Sequence, residues 1–69
     1  MKLKSRIGYW IELRGYKKIW VAKQIGVSHV VLSRWINDVS MPSVVNLFKL
    51  ADILNCKVDD LYERTDKTD

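Results

Sequence analysis

The residues that could do covalent chemistry are few, and their spacing argues against catalysis. His29 and Cys56 are the only histidine and cysteine, and they lie far apart. Asp59 and Asp60 are adjacent, so on a helix they point to different sides and do not form a general acid–base pair. There is no glycine-rich loop to cradle a phosphate, and His29 has no second ligand at metal spacing. The expectation is no enzyme, no cofactor and no metal. What remains is recognition by charge and hydrogen bonding. Residues 1–37 carry eight Lys and Arg against Glu12 alone, a net +7, whereas residues 38–69 carry four against seven acids, a net −3. The basic half of such a domain is drawn to a polyanion while the acidic half faces away. By itself the split fits an unevenly charged, solvated surface equally well.

The positioning framework must be small. With 69 residues, a formal charge of +4 and 48% hydrophobic residues, the chain makes one domain. A domain of this size buries only about 60% of its unfolded surface and has little room for a deep cavity. A lone Cys excludes an internal disulfide. No apolar run approaches the roughly 18 residues of a membrane span. The basic start MKLKSR is followed by a stretch broken by Glu12, Arg14, Lys17 and Lys18, so it does not read as a signal peptide. The expected location is the cytoplasm.

The pattern is helical throughout, with no convincing two-residue alternation. Leu3, Ile7, Trp10, Ile11 and Arg14 form a stripe that predicts a first helix from about Lys4 to Arg14, stopped by Gly15. A second fits Lys18 to Ile25, with Val21, Ala22 and Ile25 on one face and Gly26 as a turn residue. Ser28 caps a third helix, His29 to Ile36, whose buried pair is Leu32 and Trp35, flanked by Val31 and Ile36. Its opposite face carries Val30, Ser33, Arg34 and Asn37, with His29 at the N-terminal edge. Asp38 to Pro42 reads as a loop. Ser43 caps a fourth helix, Val44 to Leu54, with Leu47, Leu50, Ala51 and Leu54 inward and Asn55 as its left-handed stop. A short fifth helix is predicted over Val58 to Glu63, with Val58 and Leu61 inward. Residues 64–69 read as a disordered polar tail.

Two short helices joined at Gly26 by a tight turn are the physical recipe for a helix-turn-helix. Ala22 is small enough for a close crossing, and Val21, Ile25, Val27, Leu32 and Trp35 fill the wedge. The segment 18–37 resembles the helix-turn-helix of Cro/C1-type (Xre-like) phage repressors. The resemblance spans about residues 5–63. It rests on Ala22, Gly26, Val27-Ser28, Leu32-Ser33-Arg34-Trp35, Met41-Pro42-Ser43, Leu47…Leu50-Ala51…Leu54 and Val58-Asp59-Asp60-Leu61-Tyr62.

The resemblance implies an all-α, compact five-helix domain over residues 1–63. It would bind double-stranded DNA and place its third helix in the major groove. Position by position, His29, Val30, Ser33 and Arg34 would face base edges: Arg34 suits guanine O6/N7, Val30 a thymine methyl, and His29 and Ser33 can hydrogen-bond. Lys17, Lys18, Ser28, Asn37 and Ser40 would meet phosphates, and Lys4 and Arg6, with Lys2, would form a basic arm that follows the backbone or reaches a groove. Outside this motif the same Arg34 and His29 would be ordinary solvated side chains.

Departures from the family pattern are informative. Lys18 stands where a Gln-like residue is usual, Asp38 where Gly is common, and Lys57 where a Ser/Thr cap is usual. Ile19, Trp20, Val30 and Ile36 are apolar where the family is mostly polar. Trp10 and Trp35 read as core. Trp20 is open between packing on helix one, a partner surface and DNA. Cys56 sits at an apolar family position and reads as an inert thiol. The implied function is a phage, prophage or mobile-element repressor acting as a weak homodimer, completed on a pseudo-palindromic operator. Any dimer is expected to use the domain itself around Cys56 to Tyr62. Two rival readings remain: an antitoxin using Ile19, Trp20 and Ile36 toward a protein partner, and an interaction module that has lost DNA binding.

Overall fold

A computed structural model describes residues 1–66. The element order is β1 (Leu3–Ser5), α1 (Ile7–Arg14), α2 (Lys18–Ile25), α3 (His29–Ile36), α4 (Val44–Leu54), a single 3₁₀ turn (Val58–Asp60) and β2 (Tyr62–Arg64). Four α-helices enclose one core, and the two short strands pair antiparallel, Leu3 opposite Arg64 and Ser5 opposite Tyr62.

Local sequence signals set the helix boundaries. Gly15 and Gly26 end α1 and α2 at φ 73° and 90°, backbone positions that a side chain resists. Ser28 and Ser43 cap α3 and α4, each hydroxyl accepting an amide N–H at 3.2 Å, from Val31 and Asn46. Asn55 closes α4 at φ 54°. The buried core comprises Ile7 and Ile11 from α1, Val21, Ala22 and Ile25 from α2, Leu32 and Trp35 from α3, Leu50, Ala51 and Leu54 from α4, and Leu61. Trp10 is half-buried, its indole N–H donating to Asp60 O at 2.8 Å.

The ends of the chain depart from the sequence reading. A fifth helix over 58–63 does not form. One 3₁₀ turn is closed by Asp60, whose carboxylate accepts the Lys57 N–H at 3.0 Å, and the chain then extends into β2. The architecture is therefore four helices and a two-stranded ribbon rather than five helices. The first helix starts at Ile7, not Lys4, because Leu3–Ser5 is drawn into pairing with β2, and Leu3 is exposed rather than on a helical stripe. Arg64, read as the start of a polar tail, is the last residue of β2. Thr65 N–H donates to Lys2 O, and Asp66 meets both Arg64 and the Met1 amine. The rest of that tail, 67–69, lies outside the described residues.

Candidate nucleic-acid interface

The sequence places α2 and α3 around the Gly26 turn, where the amides of both Gly26 and Val27 donate to Ala22 O, at 2.9 and 3.0 Å. Ala22 is buried in the crossing. Leu32 and Trp35 hold one side of α3 in the core, at 0% and 4% exposure. The opposite side is thereby forced outward. His29, Val30 and Arg34 are exposed and Ser33 is half-buried, so the four form an open polar stripe with one apolar member. Asn37 follows it, also exposed.

The N-terminus of α2 flanks this stripe. Its first intrahelical bond is Val21 N–H to Lys17 O, so the amides of Lys18, Ile19 and Trp20 lie in the turn that a helix leaves without partners. Lys17 and Lys18 are exposed beside them, the arrangement that attracts an anion. Ser28 Oγ accepts the Val31 N–H and keeps its own hydroxyl proton free to donate.

α3 ends in a Schellman closure: Asp38 N–H donates to Trp35 O at 3.4 Å and Val39 N–H to Arg34 O at 2.9 Å. Asp38 takes the left-handed position at φ 62°, so the loop keeps the form a glycine would give it. Ser40 is exposed just beyond, its N–H directed at Arg34 O.

The residues of the expected basic arm belong to the folded domain. Lys4 lies in β1, and Arg6 is half-buried with its guanidinium 4.3 Å above the Tyr9 ring, a cation–π contact. Lys2 and Lys4 remain exposed on the ribbon.

Of the residues expected on a partner surface, Ile19 and Trp20 are open, at 65% and 43% exposure, with the Trp20 ring 4.9 Å from that of Tyr16. Cys56 and Tyr62 instead pack against the core. Burial, and then the Asp60 carboxylate, raise the Cys56 thiol above its ordinary pKa, with Arg14 opposing. Sequence reasoning missed a larger apolar area. Val44, Val45 and Phe48 share the outer side of α4 with nearby Met41 and Val39, all well over half exposed. The inward set of α4 leaves these residues outside, but their types are those of a core, so composition does not mark them as a surface.

A helix-turn-helix family model matches residues 7–61. The chain belongs to the Cro/C1-type helix-turn-helix family. Solved members resemble it closely. A Bacteroides fragilis protein to which DNA binding is ascribed is 31% identical, covering 90% of this chain and all of that one, with a TM-score of 0.85. The P22 c2 repressor, solved with synthetic operator 9T, is 30% identical over 78% of this chain and 82% of that one, TM-score 0.73. The N-terminal DNA-binding domain of SinR from Bacillus subtilis is 27% identical over 78% and 80%, TM-score 0.70. No curated protein matches the chain in sequence. As a Cro/C1-type domain it has the helices that build the motif, together with a two-stranded terminal ribbon. Among the described residues no helix is long and apolar enough to cross a membrane.

Proposed function

We propose that the chain is a sequence-specific double-stranded DNA-binding transcriptional regulator of the repressor type. The observation that carries this reading is the outward stripe of α3, held open by the burial of Leu32 and Trp35 and flanked by the basic N-terminus of α2. α3 lies in the major groove with His29, Val30, Ser33 and Arg34 at base edges. Arg34 makes the discriminating contact, a bidentate pair with guanine. Lys17, Lys18, Ser28, Asn37 and Ser40 hold the phosphates on either side.

A homodimer on a pseudo-palindrome, with half-sites about one helical turn apart, suits this domain. The exposed α4 side, Val44, Val45 and Phe48 with Met41, supplies the apolar area for weak association that DNA completes. Such a regulator works in the cytoplasm, and a phage or mobile-element origin fits its likeness to the P22 c2 repressor.

Selection of bound duplexes from a random pool at about 0.15 M salt tests the reading, with Arg34→Ala beside wild type. The expected result is an enriched inverted repeat whose guanine preference is lost in the variant, with a cost of about 1–3 kcal/mol. Binding without an enriched sequence would reduce the activity to phosphate attraction. The open Ile19 and Trp20 favour a second reading, an antitoxin that also binds a toxin. A toxin reading frame beside the gene would support it.

A further inference from the structure

Asp38 is an acid at the edge of the most basic part of the molecule, where a negative charge works against a polyanion. It also occupies a left-handed backbone position at φ 62°, which glycine fills without strain. A residue unfavourable on both counts needs a local reason, and its carboxylate supplies one. Both oxygens accept the backbone N–H of Ser5, Oδ1 at 3.0 Å and Oδ2 at 3.2 Å, across 33 residues of sequence. This is a charge-assisted bond between β1 and the residue that closes α3.

The ribbon needs such an anchor. Each strand has three residues, and an isolated two-stranded ribbon of that length is marginal in water. Arg6 N–H to Leu61 O at 2.8 Å and Thr65 N–H to Lys2 O at 2.9 Å tie β1 to the C-terminal segment, while the Asp38 carboxylate ties it to the end of α3. Lys4 is the next residue along from Ser5, about 3.8 Å away at the Cα. The backbone of Lys4 is therefore held beside the Asp38 carboxylate, which fixes the root of its side chain near the end of α3. Lys2 and Lys4 are exposed, and among the described residues no carboxylate lies within ion-pair distance of either.

We infer that Asp38 is a positioning residue. Its carboxylate fastens the terminal ribbon to the end of the recognition helix, so that Lys2 and Lys4 meet phosphates flanking the groove that α3 enters. The inference rests on the DNA-binding reading above. It adds a third patch of backbone contact to those at the start of α2 and after α3, built on a strand rather than on a flexible arm.

Three variants separate tether from charge. Asp38→Gly removes the tether and relaxes the backbone. Asp38→Asn removes the charge but keeps an oxygen that accepts the Ser5 N–H. Lys2→Ala/Lys4→Ala removes the proposed contacts themselves. The readouts are amide exchange at Ser5 and the salt dependence of affinity for the best selected duplex. Asp38→Gly should expose the Ser5 amide and flatten the slope of log affinity against log salt by about two. Its binding should weaken several-fold although an acid has been removed. Asp38→Asn should keep Ser5 protected and bind at least as tightly as wild type. Lys2→Ala/Lys4→Ala should match Asp38→Gly in slope, and combining the two should cost nothing more. If Asp38→Gly and Asp38→Asn both bind more tightly, Asp38 is only a repulsive charge and the inference fails. An unchanged slope in the double lysine variant overturns it equally. If wild type selects no duplex, the DNA-binding reading fails first and this inference falls with it.

Discussion

Arg14 follows the apolar stripe of α1, yet its guanidinium ends on another helix. Nε donates to Leu54 O at 2.7 Å and Nη2 to Asn55 O at 2.9 Å, while the group lies 5.2 Å from the centre of the Trp10 ring. The last carbonyls of α4 thus gain donors and a positive charge at the negative end of the helix dipole. Arg14→Ala is expected to cost about 1–2 kcal/mol in urea unfolding. Arg14→Lys should recover part of it, because the charge survives and the planar fork does not. Equal stability of Arg14→Ala and wild type would show these bonds to contribute nothing. Tyr62 poses the reverse case. Its hydroxyl is buried, without a hydrogen-bond partner among the described residues. Burial, and then the Asp38 carboxylate, raise its pKa above the ordinary tyrosine value. The Ser5 hydroxyl lies close enough to temper that shift without meeting hydrogen-bond geometry. The fold therefore favours the protonated phenol. That contribution is complete below the ordinary pKa, about 10, and is lost as pH rises through the raised value. Tyr62→Phe should melt at the same or a higher temperature at pH 7, where it removes an unpartnered polar atom. It should lose less stability than wild type above about pH 10. A clear drop in melting temperature at pH 7 would mean the hydroxyl has a partner in solution.

Where α1 crosses α3, the fit is set by Gly8. A Cβ there would lie 3.0 Å from Cγ2 of Ile36, closer than side chains normally approach. Gly8→Ala should cost about 1–3 kcal/mol by overpacking. In an Ile36→Ala background the same change should cost far less, and a double-mutant cycle by thermal unfolding measures the difference. The helices themselves were legible because their signals are local. Gly15, Gly26, Ser28, Ser43 and Asn55 each stop or cap the helix their position suggests. The ribbon was not legible. Three residues are too few to show an alternating pattern, and the partner strand lies at the far end of the chain. The same limit hid the chemistry of Asp38, which reads as a misplaced acid until Ser5 is seen beside it. On α3 the outward stripe could be read from Leu32 and Trp35, since burying two positions of a helix fixes the direction of the rest. The outer side of α4 follows in the same way from its inward Leu50, Ala51 and Leu54; what composition does not announce is that Val44, Val45 and Phe48, residue types common in cores, stay exposed on it.

The whole molecule rests on few buried side chains, each shared among helices. At about 0.05–0.15 kcal/mol per residue its stability amounts to only several kcal/mol. Leu50 is fully buried, and Leu50→Ala removes about 2–5 kcal/mol. That is a large share of the total, so circular dichroism should show a much lowered melting temperature or an unfolded population at 25 °C. A change of only a few degrees would mean that the core collapses around the gap. The ribbon that joins the two ends has a consequence for synthesis. β2 begins 57 residues after β1 ends. At a translation rate of about 5–20 residues per second, the first strand therefore waits roughly 3–11 s for its partner to be made. Until then its edge is unpaired, and an unpaired strand edge is the part of a nascent chain most prone to stick to its neighbours.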